Sequence, residues 1–352
     1  CQNIEKAIDI YKQSLEIRTR EVAPVDWAQT MNNLAVAYCF YSTCVDFLQN
    51  IEKAIDAYKQ SLEVRTYESM PFEWATSKSN LAVAYYLHSQ GNHAQDIEDA
   101  IDAHEQVLTV RTKITTPVEW AQTRMNMAMA YSDRIKGDPA ENFQQAINGY
   151  QDSLTVFAPG LHPHDCRKSA NRLGDIYFRG RRWQEAVSIY QTALQAAEIL
   201  YQSANLLDSK SAELAETADL PRRAAYALAR TGDLQKAVET LEQGRARGLS
   251  ESLDRDRSDL TQLQQTHPKL YQDYQQITAQ LRNLESQQRD RMTSEDRHSL
   301  TPEALRDTAT SLRQQLTDVL QDIRKVLGYE DFLGLPTFAD VQAAVQVYRP
   351  LV

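Results

Sequence analysis

The sequence has little glycine and little proline, with 11 of each in 352 residues. An all-β protein of this size needs more of both in its turns, so the composition favours helices. Long apolar runs are also missing, and none approaches the roughly 18 residues that span a bilayer. Basic residues number 38 against 48 acidic ones, and a net charge of -10 argues against general nucleic-acid binding. We therefore expect neither a membrane nor a nucleic acid among the partners.

Cysteine is scarce as well. The four cysteines are Cys1, Cys39, Cys44 and Cys166. Their spacing matches neither a zinc site nor a disulfide framework, so we expect reduced thiols and a cytoplasmic location. The segment from His162 to Cys166 holds two histidines, an aspartate and a cysteine, but it also lacks metal-site spacing. No glycine-rich phosphate loop is present. We predict no metal and no cofactor.

One motif recurs along the chain, as IEKAI at Ile4 and Ile51 and as IEDAI at Ile97. Its aligned alanines are Ala7, Ala54, Ala100, Ala146, Ala186 and Ala237, which are 47, 46, 46, 40 and 51 residues apart. Self-similarity at such a period indicates stacked helical units.

Two helices are predicted in each unit. A proline precedes an aromatic residue or a cysteine by three positions, in the pairs Pro24 and Trp27, Pro71 and Trp74, Pro117 and Trp120, and Pro163 and Cys166. Proline suits the first position of a helix, and we expect the tryptophans to pack between units. In the IEKAI block, Ile4, Ile8 and Tyr11 share one face of a second helix. Small residues such as Ala35 and Ala54 are expected where the two helices cross.

The unit from Leu173 to Ala193, with Gly174, Tyr177 and Ala186 between them, closely resembles the tetratricopeptide repeat. The longer period of the earlier units is similar to long-helix variants of this family. The resemblance implies an all-α fold, in which helical hairpins stack as a right-handed solenoid.

Polar residues repeat on the predicted first helices. Asn33, Asn80, Asn126 and Arg172 occupy one position, and Gln29, Thr76, Gln122 and Lys168 lie one turn earlier. The resemblance implies that these helices line a concave face that binds a protein or peptide. An Asn amide can pair with both groups of an extended backbone, and Arg presents a fork to carboxylates. Our candidate site is Asn33, Asn80, Asn126, Lys168, Arg172, Gln29 and Gln122. The alternative is that the amides bond to neighbouring helices and stiffen the solenoid.

A long antiparallel helical hairpin is predicted after the solenoid. Apolar residues follow a heptad pattern from Leu270 to Leu284 and again from Leu305 to Val326, and each run follows a proline, Pro268 and Pro302. The two seams can pair with each other, or they can form a coiled coil between molecules.

The segment LEQGRARGLSESL, Leu241 to Leu253, resembles the region that joins tetratricopeptide repeats to a CHAT domain, a caspase- and separase-like cysteine peptidase. We predict a solenoid over residues 1–255, the hairpin over 256–328, and over 329–352 a linker, a helix near Phe338 to Val345 and the start of a strand. The chain begins inside a repeat and is expected to be a fragment. The resemblance implies that the catalytic residues lie beyond Val352, so this chain is not expected to be an enzyme.

Three functions remain open at this stage. The first is a scaffold or sensor that binds a partner and regulates a downstream CHAT peptidase in the same polypeptide. The second is an independent adaptor that dimerises through the hairpin. The third is an enzyme that uses Cys166 or His164.

Overall fold

A computed structural model describes residues 1–90, 94–203, 207–257, 260–293, 302–329, 332, 337–339 and 341–342. Over these residues the chain is all helical, as predicted, and contains no strand. The helices are α1 (Gln2–Ile17), α2 (Pro24–Ser42), α3 (Phe47–Leu62), α4 (Pro71–Ser89), α5 (Ala94–Val107), α6 (Pro117–Asp133), α7 (Pro139–Leu154), α8 (Pro163–Arg179), α9 (Trp183–Ser203), α10 (Leu207–Glu216), α11 (Leu220–Arg230), α12 (Leu234–Arg257), α13 (Thr261–Thr266), α14 (Pro268–Thr293) and α15 (Pro302–Ile323). None of these helices is long and apolar enough to cross a membrane, within the described residues.

The chain divides into two compact units, Cys1–Ile176 and Tyr177–Val352. In the first unit α2 packs on α3, α4 on α5 and α6 on α7, and these pairs are repeats 1, 2 and 3. The second helix α3 also packs on α4, and α5 packs on α6; α8 begins repeat 4. The predicted helix starts are confirmed, since a proline opens α2, α4, α6 and α8. The predicted boundaries at residues 255 and 328 stay predictions.

Small residues lie where the two helices of a repeat cross. Six of the predicted alanines are completely buried: Ala35, Ala54, Ala82, Ala100, Ala128 and Ala146. The closest approach is at Gly149 of α7. A Cβ atom there would lie 2.8 Å from the Cβ of Ala128 and 2.9 Å from the carbonyl oxygen of Arg124. Repeat 3 therefore holds its helices too close together for any side chain at this position.

The tryptophans have the packing role that we predicted for them. Trp27 lies against the apolar cluster of repeat 1, and the guanidinium of Arg20 covers its ring at 5.6 Å. In the next repeats, Tyr67 meets the ring of Trp74 edge-on, and the ammonium of Lys113 lies 5.5 Å from the centre of the Trp120 ring. The loop before each first helix thus closes over its tryptophan.

One prediction about the cysteines is wrong. Cys1 and Cys44 form a disulfide, with their Cα atoms 6.0 Å apart, whereas Cys39 and Cys166 are free. The pair is 43 residues apart in sequence and follows no framework spacing. Only the packing of α1 against α2 brings the two sulfur atoms together, so the spacing argument could not find them.

In the second unit, α9 packs on α10 and α11, and α11 packs on α12. An aromatic group supports this arrangement, since the ring of Trp183 lies 5.3 Å from that of Phe178 and 5.7 Å from that of Tyr226. Gly244 of α12 lies against α11, because a Cβ atom there would approach Pro221 to 2.4 Å. Arg245 pairs with Glu242 at 2.9 Å, as expected for an exposed helix surface.

The long hairpin is confirmed. Tyr274 of α14 clusters with Ile323 of α15, and Ile277 clusters with Leu312, so the two helices run in opposite directions. The open end of the hairpin is closed by α13, where the backbone N–H of Leu263 donates to the Tyr329 hydroxyl at 3.0 Å. The heptad seam is therefore filled within one molecule over these residues.

The end of the chain is described only in part. Phe338, Ala339, Val341 and Gln342 are helical, in agreement with the predicted short helix. The backbone N–H of Phe338 donates to a carboxylate oxygen of Glu239 in α12 at 3.2 Å. The predicted strand near residues 348–352 lies outside the described residues.

The tight crossing in repeat 3 gives a stability prediction. Gly149→Ala forces the Ala128 side chain or the α6 backbone to shift, at a cost of about 1–3 kcal/mol. The better helix propensity of alanine returns up to about 1 kcal/mol, so we expect a net loss in the free energy of unfolding. Urea denaturation followed by circular dichroism measures this loss.

Gly160→Ala is the matched control, because a Cβ atom at Gly160 meets nothing within 4 Å. We expect its urea midpoint to equal that of the unmodified protein. A normal midpoint for Gly149→Ala would show that the crossing can relax.

Candidate functional site

The candidate site is a row of polar side chains on the first helices of repeats 1 to 4. We call it the polar ladder, and it comprises Gln29, Asn33, Thr76, Asn80, Gln122, Asn126, Lys168 and Arg172. Each helix contributes two residues that are four positions apart, so both lie on one face of their helix. All eight are wholly or partly exposed.

We call the two ladder residues of one helix a rung. In two rungs, the two residues are hydrogen-bonded to each other. The side-chain amide of Gln29 donates to Oδ1 of Asn33 at 2.9 Å, and that of Gln122 donates to Oδ1 of Asn126 at 3.1 Å. This arrangement agrees in part with the structural alternative, because each Asn carbonyl already has a donor. Gln29 is exposed, and Asn33, Gln122 and Asn126 are partly exposed.

A buried arginine lies behind the first two rungs. Arg65 follows α3, is 3% exposed, and donates to Gln29 of α2 and, at 3.0 Å, to the hydroxyl of Ser77 in α4. Ser77 in turn donates to Oδ1 of Asn32 in α2 at 3.1 Å. Burial lowers the pKa of Arg65, and the charge of Glu73 acts in the opposite direction. Arg65 thus joins consecutive first helices through neutral partners.

Arg111 has the same role one repeat later. Its guanidinium donates to Thr123 of α6 and to Thr76 of α4, both at 3.3 Å. Burial also lowers its pKa, against the charge of Glu119. Our sequence interpretation missed these arginines. Their signal was the triplet Val64 to Thr66, which recurs as Val110 to Thr112 with Arg at its centre.

Three residues of the ladder form no side-chain hydrogen bond with the described part of the chain. Asn80, Lys168 and Arg172 form neither a hydrogen bond nor an ion pair with any described residue. The Thr76 hydroxyl, one turn before Asn80, donates to the carbonyl of Phe72 at 2.9 Å instead. Burial lowers the pKa of Lys168, with a further decrease from Arg172 and an opposing increase from Asp165. The ladder therefore has one free amide and two cations available to a ligand.

The apolar surroundings of the asparagine row are also exposed in part. Val36, Val83 and Met129 lie three positions after Asn33, Asn80 and Asn126, and each is partly buried. Three positions along a helix correspond to about 4.5 Å. An aliphatic strip therefore borders the amides on one side.

The two free cysteines lie in surroundings that disfavour the thiolate. Cys166 is completely buried, and burial raises the pKa of its thiol to about 11. Burial likewise raises the pKa of Cys39 to about 11, despite a hydrogen bond with Tyr58. His164 is exposed, and its Nδ1 atom lies 3.7 Å from a carboxylate oxygen of Asp165. Neither thiol has the thiolate character that a nucleophile needs.

Comparison with known proteins gives a likeness of fold. No family model matches this sequence, and no curated protein matches it. Among solved structures, the crystal structure of BtubC (BKLC) from P. vanneervenii superposes with a TM-score of 0.51 and 17% identity. The match covers 71% of this chain and 92% of that chain. At this identity the likeness supports the all-α solenoid-like fold and nothing more specific.

The bridging arginine gives a second stability prediction. Arg65→Met removes the donors to Gln29 and Ser77, so we expect a loss of about 1–3 kcal/mol in the free energy of unfolding. Urea denaturation followed by circular dichroism measures it.

Arg18→Met is the matched control, because Arg18 holds the equivalent position before repeat 1 but is exposed and has no side-chain partner among the described residues. We expect a change below about 0.5 kcal/mol there. Equal losses in the two variants would contradict a bridging role for Arg65.

Proposed function

We propose that this chain is a protein-interaction scaffold that binds an extended segment of a partner protein across the polar ladder. The observation that carries the proposal is the contrast within the ladder. Two rungs are bonded internally, whereas the side chains of Asn80, Lys168 and Arg172 form no hydrogen bond or ion pair with any described residue. A scaffold that needed these groups only for stiffness would bond them to its own helices.

The chemistry of the three groups suggests what they bind. Asn80 can accept from a backbone N–H and donate to a backbone C=O of an extended chain. Lys168 and Arg172 lie one turn apart with no carboxylate of the described residues bonded to either, and they suit an acidic side chain of the partner. Because desolvation already disfavours the charge on Lys168, an incoming carboxylate gains more there than at a fully hydrated lysine.

The aliphatic strip supports an extended rather than a helical ligand. Side chains of an extended chain alternate in direction, so a backbone that lies along the asparagine row presents every second side chain to Val36, Val83 and Met129. Thr76 stands where a further cation would complete a clamp for a terminal carboxylate. We therefore favour an internal acidic segment over a chain terminus.

The test compares two triple variants of equal chemistry. Asn80→Ala, Lys168→Ala and Arg172→Ala are combined in the ladder variant. Gln60→Ala, Lys12→Ala and Arg18→Ala form the control, since these exposed residues of α1, α3 and the loop after α1 have no side-chain partners among the described residues. Peptides are selected on the unmodified chain from a random library, and their affinities are measured by fluorescence anisotropy.

We expect selected peptides to be acidic and to lose at least about 10-fold in affinity for the ladder variant, because each lost charge-assisted bond is worth about 1.5–3 kcal/mol. The control variant should keep the original affinity. Equal binding to both variants would place the peptide site elsewhere and leave the ladder a structural feature.

A second part of the proposal concerns the whole protein. We propose that the scaffold precedes a CHAT peptidase domain in the same polypeptide and that ligand binding changes its activity. The support is the resemblance of the segment Leu241 to Leu253, which falls on α12. The hydrogen bond between Glu239 and Phe338 also ties the segment after the hairpin to that helix. The hairpin seam is filled within one molecule, which favours this arrangement over dimerisation through the hairpin.

The coding sequence downstream of residue 352 tests this second part. We expect it to encode a strand-rich domain with one His and one Cys suited to a catalytic pair, and a Cys→Ala change there should abolish peptidase activity. A stop codon, or a domain of another kind, would contradict the proposal and leave the independent adaptor.

We propose the cytoplasm as the location, on the same resemblance. A disulfide is unusual there unless it is reversible.

A further inference from the structure

Large apolar side chains are exposed at the starts of two first helices. Phe72 and Val118 directly follow the opening prolines of α4 and α6, and they are 57% and 41% exposed. In the loops before these helices, Tyr67 is 47% exposed and Ile114 is 93% exposed. We call these four residues the apolar rim. Because α4 packs against both α3 and α5, and α6 against both α5 and α7, the rim is exposed although each helix has its neighbours in the array.

One arginine holds the two halves of the rim together. The guanidinium of Arg111 donates to Thr76 of α4 and to Thr123 of α6, both at 3.3 Å. The Thr76 hydroxyl donates in turn to the carbonyl of Phe72 at 2.9 Å, and the Thr123 hydroxyl donates to that of Glu119 at 2.7 Å. Isolated apolar residues are common on protein surfaces, whereas a contiguous patch marks an interaction site. Since the first turns of α4 and α6 are neighbours, the rim is one patch.

Carboxylates border this patch. In residues 66–73 and 112–119, the charged side chains are three carboxylates and one ammonium: Glu68, Glu73, Glu119 and Lys113. The three carboxylates are exposed, and none forms a hydrogen bond or an ion pair with any described residue. An acid in the first turn stabilises a helix by itself. Beside exposed apolar side chains, however, these carboxylates also favour a positively charged ligand.

The bridging arginines lie behind these carboxylates. The charge of Glu73 acts on Arg65 and that of Glu119 acts on Arg111, but no ion pair forms in either case. Both guanidinium groups instead donate to hydroxyl and amide groups between the first helices. A ligand at the surface of the rim therefore meets carboxylate oxygens beside apolar side chains.

We propose that the apolar rim docks a segment of a second partner protein, one that carries large apolar side chains flanked by lysine or arginine. Its apolar side chains pack on Phe72 and Val118, and its cations pair with Glu73 and Glu119. Burial of the rim removes apolar surface from water, and the charges orient the segment. The contact does not involve the polar ladder, so it does not depend on the peptide site proposed there.

Charge also decides between this partner and two others. A bilayer accepts exposed aliphatic and aromatic side chains at its interface, but anionic headgroups repel carboxylates and attract basic segments. A second copy of the chain carries the same net charge of -10, which opposes self-association. A basic segment of another protein has neither disadvantage.

The rim and the polar ladder favour ligands of opposite charge. Thr76 follows Phe72 by four positions and Gln122 follows Val118 by four, so the rim borders the ladder on the same helices. The two cations of the ladder lie on α8 instead. An acidic segment is repelled at the rim and attracted at α8, whereas a basic segment experiences the reverse. Each surface therefore selects against the ligand of the other.

The experiment begins with the ladder variant, in which the proposed peptide site is disabled. Peptides are selected on this variant from a random library, labelled with fluorescein and titrated with the unmodified chain by fluorescence anisotropy. We expect the selected peptides to combine large apolar residues with Lys or Arg, and to bind the unmodified chain as tightly as the ladder variant. Their affinity should fall as salt rises, because exposed ion pairs are screened.

The rim variant combines Phe72→Gln and Val118→Gln. Its control combines Phe143→Gln in α7 and Ile135→Gln in the loop after α6, which are 42% and 77% exposed. We expect the selected peptides to lose at least about 10-fold in affinity for the rim variant and to keep their affinity for the control, because only the rim loses apolar contact area. All four side chains are exposed, so the urea midpoints should match that of the unmodified protein.

A second variant tests the charges by combining Glu73→Gln and Glu119→Gln, with Glu141→Gln as its control. Glu141 lies two positions after the proline that opens α7, so its loss weakens a helix start in the same way without changing the rim. We expect peptide binding to depend less on salt in the double variant, and to keep its salt dependence in the control.

Three results would overturn the proposal. One is that no basic peptide is selected on the ladder variant, and another is that the selected peptides bind the rim variant and its control equally. The third is that phosphatidylserine vesicles, or a second copy of the chain, bind the unmodified protein but not the rim variant. A failed ladder site has a different signature, since acidic peptides would then bind the ladder variant as tightly as the unmodified chain.

Discussion

The close crossing of the two helices inside each repeat is the constraint on which the rest of the first unit depends. At Ala35, Ala82 and Ala128 the first helix presents only a methyl group, and these alanines are completely buried. At Gly149 there is no room even for that. Because the helices approach so closely at one point, each helix can present only that side to its partner. The directions of its other side chains are thereby fixed. Side chains four residues apart on a first helix therefore fall on the same outer face in every repeat.

The spacing between repeats depends on a different interaction. Arg65 and Arg111 cross from the end of a second helix to two consecutive first helices, and their partners are hydroxyls and amides rather than carboxylates. A buried guanidinium costs desolvation energy, and its hydrogen bonds to these neutral groups offset that cost. The arginines also orient the helices. The guanidinium is planar and carries several N–H donors, so it fixes the relative positions of the groups that accept its hydrogen bonds.

Much of the fold could be predicted from the sequence, because its signals are local. The proline helix starts, the recurring alanines and the heptad seam each follow from spacing along one helix. The predictions fail where distant segments meet. The disulfide joins Cys1 to Cys44, and no local pattern marks it. The bridging arginines lie in a recurring triplet that the sequence does show. The partners of Arg65 lie in two other helices, however, so its role could be recognised only in the folded structure.

The sequence predicted a candidate site of similar polar residues in each repeat. In the structure, some of these residues are bonded to each other and others are not. Gln29 and Gln122 are long enough to reach the asparagine one turn later, whereas Thr76 is too short and bonds to its own helix. This one shorter side chain leaves the Asn80 amide without a hydrogen-bond partner among the described residues. Arg65 and Arg111 already bind α4 through Ser77 and Thr76. The Asn80 amide is therefore not required to hold this helix in place.

Repeat 4 differs from the earlier repeats at the position of the bridging arginine. The position that Arg65 and Arg111 occupy is taken there by Phe157, which is buried and meets His162 edge-on. Arg167 is buried on α8, and Lys168 and Arg172 add positive charge at partly or fully exposed positions of that helix. A cation in place of Phe157 would repel both of them and would compete for any carboxylate that they bind. The bridging arginine of the earlier repeats is thus replaced by an apolar residue in repeat 4. In our proposal, Lys168 and Arg172 of this repeat meet the ligand, because no described residue bonds to their side chains.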